Sequence, residues 1–515
     1  MRYVERCVFV LISVLILMGL LSDQAADEPF GFFWVAGALI LAISLVIRRN
    51  YRWQWVPIFI AIVLETLLYI ILLLSGWEPQ VMGLVPTVIH FISLILFLLS
   101  VLSVFLFPLF EPPVPAGKYL AGICEFHLQD KSGREPRSEN PEVPREMMVT
   151  AWYPAGHVGN TQPEPFFRFA RVIGSAVAKS IGLPGFIFNH LGLINSHSYL
   201  DAELSNNESQ YPVLIFSHGY MSYASQNSLL MEHLASHGYI AFSLTHPYDT
   251  AAIRYSESRV LYGVPEPDEK QTGKSEKDDE TLKFLFDALM ADDDLEFEQQ
   301  MLRYIESSKM FSEACDRWVD DTRFFVDELE KVDEIHPAGR FTGKMNLEQL
   351  GVFGMSLGGS AAGKFASIDG RCKAGINLDG LFYDNSMDIQ IYQPFMIMYS
   401  DPEENERKTK GVQFDRPIKH QMNDFVYKRA RGDIYSILVK HSTHINFSDL
   451  AIIAPCLKWF GVLGRIDGNV MNEIVNTCVL EFFNKYLLKQ ESAFLDSPKT
   501  VYAQVESKKK EKIKT

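Results

Sequence analysis

Leu350-Gly351-Val352-Phe353-Gly354-Met355-Ser356-Leu357-Gly358-Gly359-Ser360-Ala361-Ala362-Gly363 decides the fold. The apolar run reads as a buried strand, the glycines two residues either side of Ser356 leave room for a sharp turn, and the small-residue stretch reads as a helix. A serine hydroxyl is a weak nucleophile unless the backbone holds it out toward a base, which strand, turn and helix in this order do. The helix also aims its first amides at the negative charge that develops during attack. A plain glycine-rich turn is the competing reading, and the partners that follow weigh against it.

Further candidate strands lie at 147–152, 213–216, 239–244, 374–378, 395–399 and 435–439. Several are near-continuous apolar runs, as expected of strands covered on both faces. Helical stretches such as 225–237 and 315–332 alternate with them, so the expected class is α/β. With the elbow at Ser356 it becomes the α/β-hydrolase fold, a mostly parallel central sheet with helices on both faces.

Pro212-Val213-Leu214-Ile215-Phe216-Ser217-His218-Gly219-Tyr220 is a strand running into His-Gly. In this fold class the loop after that strand supplies one oxyanion amide and the residue after the nucleophile supplies the other, here Tyr220 and Leu357. His218 reads as a brace for that loop. The general base should be a late histidine, and His441 and His444 both follow the strand at 435–439. Spacing favours His444, which sits farther out on its loop. The acid that orients the imidazole follows a strand as well. Asp379 ends 374–378 and Asp401 ends 395–399; each also reads as a loop or helix cap. The residues leave that choice open.

A chain of 515 residues is too long for one compact core, so two regions are expected. A net charge of −15 argues against nucleic acid as a partner. Six scattered cysteines form no C-x-x-C pair and no metal spacing, and no cofactor or metal is expected.

Residues 1–110 read as a four-helix transmembrane region, with apolar runs at 7–21, 32–47, 56–74 and 82–109. Arg2, Arg6, Arg48, Arg49 and Arg52 flank one side, while Asp23, Asp27, Glu28 and Glu78 mark the other. The positive-inside rule then puts both termini and the catalytic domain in the cytoplasm, a multi-pass arrangement. The first run also fits a cleaved signal peptide, which leaves the rest on the same side. Glu65 and His90 fall at similar depth and could pair within the bundle.

The catalytic domain is expected over 115–490. Within it, 263–308 is an acidic insertion that reads as a lid or as a solvated spacer. Phe166, Phe169, Ile173, Val177 and Ile181 recur at helical spacing, which suits a helix in the headgroup region or one packed on the sheet. The basic tail, 491–515, is expected to be disordered or to lie on an anionic leaflet.

Several motifs stand in register over 117–488: 211–220, Leu234-Ala235-Ser236-His237-Gly238-Tyr239-Ile240, 354–359, Asn377-Leu378-Asp379-Gly380, His444-Ile445-Asn446-Phe447-Ser448-Asp449, and Gly464-Arg465-Ile466-Asp467-Gly468. Together they resemble the platelet-activating factor acetylhydrolases of the plasma and intracellular type II family, the group VII phospholipases A2. The resemblance implies Ser356 as nucleophile, Asp379 as acid, His444 as base, and Tyr220 and Leu357 as oxyanion amides. It further implies calcium-independent hydrolysis of the sn-2 ester of phospholipids with short or oxidised acyl chains. The four-span region and the longer acidic insertion depart from the family pattern. Two other expectations compete: a general carboxylesterase or polyester-cleaving hydrolase, and a non-catalytic membrane lipid sensor or scaffold.

Overall fold

The computed structural model describes residues 52–75, 84–264 (less 139, 141 and 160), 283–284, 287, 294–331 (less 308), 340–383, 389–406 and 418–512. The apolar runs at 7–21 and 32–47 lie outside these residues, as does most of the acidic stretch before 294.

Helices α1 (Val56–Ser75) and α2 (Val85–Leu106) form an antiparallel hairpin. Gln54, just before α1, donates from Nε2 to the Phe107 carbonyl at 3.1 Å, and its own carbonyl accepts from Ser100 Oγ at 2.5 Å. Both helices are long and apolar enough to cross a membrane. Side chains such as Val63, Leu67, Phe91 and Leu98 stand exposed along them, as they would facing lipid. Glu65 and His90 do meet, with His90 Nδ1 3.1 Å from Glu65 Oε1. Four spans were expected; the described residues contain two such helices.

Eleven strands make one sheet. In chain order they are β1 (Leu120–Arg134), β2 (Pro144–Ala155), β3 (Pro163–Pro165), β4 (Asn195–Leu200), β5 (Tyr211–Ser217) and β6 (Ile240–Leu244). After a small ribbon of β7 (Ala252–Arg254) and β8 (Val260–Tyr262) come β9 (Met345–Met355), β10 (Ala374–Leu378), β11 (Phe395–Ser400), β12 (Ile434–Val439) and β13 (Val505–Lys510). The spatial order is β13-β12-β11-β10-β9-β5-β6-β2-β1-β4-β3. From β6 to β12 every pairing is parallel, while β2 runs antiparallel to both neighbours. The molecule is therefore a mixed α/β fold with a largely parallel central sheet. The central strands are buried along their length because helices cover both faces. One face packs under α4 (Lys309–Glu328) and α5 (Leu357–Ile368); the other packs under α3 (Ser228–Ser236) and α6 (Gly468–Tyr486).

Two readings change. The tail does not stay loose: β13 pairs antiparallel with β12, from Val505 opposite Val439 to Lys510 opposite Ile434. Val505 is buried while Lys508 and Lys509 face out, Lys440 pairs with Glu506 at 2.6 Å, and Lys510 Nζ reaches the Ala430 carbonyl at 3.1 Å. An unpaired β12 edge would expose a row of backbone donors and acceptors, and a lysine-rich strand closes it without inviting another. The segment from Phe166 to Ile181 lies neither on the sheet nor wholly toward lipid. Phe166 and Val177 are buried in a third cluster, against Leu106, Phe107, Leu109 and Phe110 from the exit of α2. Trp53 Nε1 donates to the Ile187 carbonyl at 3.0 Å, and Phe105 stacks on Trp459 at 5.8 Å. The apolar hairpin is thus keyed to the α/β domain by aromatic contacts as well as by the chain.

Candidate active site

Ser356 stands between β9 and α5 with φ 57° and ψ −122°, a backbone conformation that costs about 1–3 kcal/mol and persists only where its surroundings enforce it. The glycines enforce it. A Cβ on Gly354 would lie 2.2 Å from the Gly358 carbonyl carbon, and one on Gly358 would lie 2.0 Å from the Ser217 carbonyl oxygen. Neither position admits a side chain without moving the strand or the helix.

Sheet register brings the acid alongside. Met355 pairs with Leu378, so Ser356 and Asp379 leave neighbouring strands at the same level. The Ser356 N–H donates to the Leu378 carbonyl, and the Asp379 N–H to the Met398 carbonyl, both at 2.9 Å. Asp379 also takes a positive φ, 56°. Its buried carboxylate accepts from the Ser400 N–H at 2.7 Å and the Ser400 hydroxyl at 2.9 Å. His444 completes the row: Nδ1 is 2.6 Å from Asp379 Oδ2, and Nε2 is 3.0 Å from Ser356 Oγ. A carboxylate only accepts, so Nδ1 carries the proton and Nε2 is left to receive one from Ser356. The His444 side chain keeps 33% of its surface exposed and Asp379 none, which suits a base that substrate must reach and an acid that it must not.

Of the two histidines and two aspartates, one of each joins this row. His441 turns toward Arg465, with Nδ1 3.1 Å from its Nη2 and 3.7 Å from Glu404. Asp401 accepts the backbone N–H groups of His441 at 2.8 Å and Glu403 at 3.0 Å, and so braces the loop that carries His444. On the other side of Ser356, a Cβ on Gly219 would lie 3.5 Å from the Ser356 Cβ, so the loop leading to Tyr220 passes directly beside the serine. Leu357 is the first residue of α5, where amides have no partner within their own helix. His218 is fully buried, donates from Nδ1 to the Gly219 carbonyl at 2.7 Å, and is held neutral by burial, which lowers its pKa to about 3. That is a brace, not a base.

Sequence reasoning missed Ser400, Asn377 and Asn446. Asn377 ties both backbone groups of Gly380 just after the acid, at 2.6 and 3.1 Å. Asn446 Oδ1 accepts from the Thr443 and Gly464 N–H groups, each at 2.8 Å, and so pins the histidine loop. Asn377 and Asn446 stood inside the quoted motifs, but nothing in their spacing announces a second-layer bond. Among the described residues no group of three or more His, Cys, Asp or Glu side chains is arranged to hold a metal.

The sequence profile of platelet-activating factor acetylhydrolase, isoform II, matches residues 165–499. The chain belongs to this family. It is 25% identical to the platelet-activating factor acetylhydrolase of Cavia porcellus over 287 residues, 54% of this chain and 58% of that one. It is 24% identical to the Canis lupus familiaris enzyme of the same name over 382 residues, 73% of this chain and 77% of that one. The match therefore spans little more than half of the first relative and about three quarters of the second. Among solved structures, a ferulic acid esterase from Streptomyces cinnamoneus superimposes with a TM-score of 0.56 at 20% identity, covering 77% of this chain and 98% of that one. Membership of this family places the chain among carboxylic ester hydrolases; the structural likeness speaks for the fold.

Proposed function

We propose that the chain is a membrane-anchored serine esterase that cleaves the sn-2 ester of phospholipids with short or oxidised acyl chains. The observation that carries the reading is the unbroken hydrogen-bonded row Ser356–His444–Asp379 inside the stretch that the family profile matches. Ser356 Oγ attacks the ester carbonyl as His444 Nε2 takes its proton, and the carbonyl oxygen becomes an oxyanion between the Tyr220 and Leu357 amides. His444 returns the proton to the departing lysophospholipid oxygen. Water then enters, gives a proton to His444 and attacks the acyl carbonyl; as the acyl group leaves as a free acid, His444 passes that proton to Ser356 Oγ. Asp379 stays ionised throughout and stabilises the imidazolium. No metal or cofactor takes part.

In this reading 1–110 is a four-span anchor and 115–490 the catalytic domain on the cytoplasmic side. Tethering keeps the site at the bilayer, where lipid esters are concentrated. Hydrolysis by purified full-length protein of phosphatidylcholines carrying 2-acetyl or 2-palmitoyl groups, with soluble aryl esters alongside, tests the substrate. The acetyl lipid should be cleaved at least about 100-fold faster than the palmitoyl lipid, the discrimination that a pocket closed to a single added methylene already gives. Equal rates on both lipids, or turnover of aryl esters alone, would replace this reading with a general carboxylesterase.

A further inference from the structure

A second Ser-His-Asp row lies buried beneath the oxyanion loop. Ser217 is the last residue of β5, and its Oγ is 3.1 Å from His246 Nε2. His246 Nδ1 is 2.8 Å from Asp321 Oδ2 on α4, and Arg145 grips the same carboxylate through Nε and Nη2, the latter at 2.7 Å. Arg145 Nη1 extends the row to Glu135 at 2.7 Å. His246 is wholly buried, and Ser217, Asp321 and Arg145 are at most 7% exposed, so no substrate reaches them. Burial keeps the His246 ring neutral, partly opposed by Asp321. Burial alone would raise the Asp321 carboxyl, but Arg145 and His246 hold it below the ordinary aspartate range. A buried ion pair adds little stability over apolar packing of equal volume, so this one calls for another reason.

Its other bonds supply one. Thr250 Oγ1 accepts the His246 N–H at 2.9 Å and lies 2.8 Å from His218 Nε2, while His218 Nδ1 donates to the Gly219 carbonyl. The His246 ring stacks on Trp318 of α4 at 4.0 Å, and Trp318 Nε1 donates to Asp249 at 3.0 Å. The Asp249 carbonyl in turn accepts the Met221 N–H at 2.8 Å. Residues 217, 219 and 221 thus flank Tyr220, and each is tied to the loop from His246 to Thr250, which α4 holds through Asp321 and Trp318.

We infer that Asp321 is a positioning residue that acts through His246 and Ser217 to fix where the Tyr220 amide meets the oxyanion. The inference rests on the proposed role of Tyr220 and Leu357, and the test separates the two. The ratio of kcat/KM for an aryl acetate to that for its thionoacetate, with sulfur in place of the carbonyl oxygen, reads how well the amides fit the oxyanion. The wild-type chain should favour the oxygen ester by about 100-fold, the scale of one oxyanion donor. Ser217→Ala, which removes a single hydroxyl, and Asp321→Asn should each cut that ratio about tenfold while KM for the acetate stays put, and Ser217→Thr should restore it. A folded Ser217→Ala variant that keeps the wild-type ratio, or loses both esters in equal proportion, overturns the inference. A wild-type ratio near unity overturns the Tyr220–Leu357 assignment itself, and the inference with it.

Discussion

At Asp379 three donors converge on one carboxylate: the Ser400 N–H, the Ser400 hydroxyl and His444. Asp401, at the end of the next strand, receives the backbone N–H groups of His441 and Glu403, with the His441 ring 4.0 Å away. Asp379→Asn should therefore lower kcat by about 10⁴-fold by stabilising the wrong tautomer of His444. Asp401→Asn should keep kcat within about tenfold and cost about 1 kcal/mol of stability, the scale of a lost cap; steady-state rates and urea unfolding of the two variants decide it. Ser356 and His444 were legible because elbow and late loop have strong local patterns. The acid was not legible from the residues alone, since two adjacent strands end in aspartate and the distinguishing serine acts across the sheet. Asp449 carries a different prediction. It lies buried with Ser228 Oγ at 2.7 Å, and burial pushes its carboxyl up to about 8. A carboxyl that holds its proton more tightly when folded makes stability fall as pH rises from near 4, its unfolded value, toward 8. Asp449→Asn can accept the same bonds without ionising, so it should flatten that decline in urea midpoints between these limits; an unchanged slope would place its source elsewhere.

Among the elements, the buried parallel strands were readable because helices cover both their faces and leave continuous apolar runs, as in Ala374–Leu378. The strands at the sheet's margins escaped. Leu120–Arg134 mixes charge and glycine with its inward Cys124, Phe126 and Leu128, and Val505–Lys510 buries little beyond Val505. Its register is set by pairing, which leaves no periodic trace in the side chains. Deleting residues from 505 onward should uncover the β12 edge, with lower thermal stability and concentration-dependent aggregation in light scattering. A truncated chain that melts and scatters like the full one would mean that β13 contributes nothing to the sheet.

For the whole molecule, the contact that matters is between the apolar hairpin and the loop that carries His444. Phe105 of α2 stacks on Trp459, and Trp459 and Phe460 are the exposed tip of a segment whose Val462 carbonyl accepts from Thr443 Oγ1 at 2.7 Å, one residue before His444. Replacing Trp459 and Phe460 with alanine should slow hydrolysis of vesicle-borne phospholipid about tenfold and leave soluble aryl esters nearly untouched, since most of each ring stays open and would find further burial at a lipid surface. Equal loss on both would indicate damage to the histidine loop instead. Ser356 is the residue on which the proposed chemistry depends. Full-length protein treated with a fluorophosphonate probe should carry one adduct, mapped by peptide mass to Ser356, and Ser356→Ala should carry none and hydrolyse no ester. An adduct on another residue, or undiminished labelling and turnover in that variant, would contradict it.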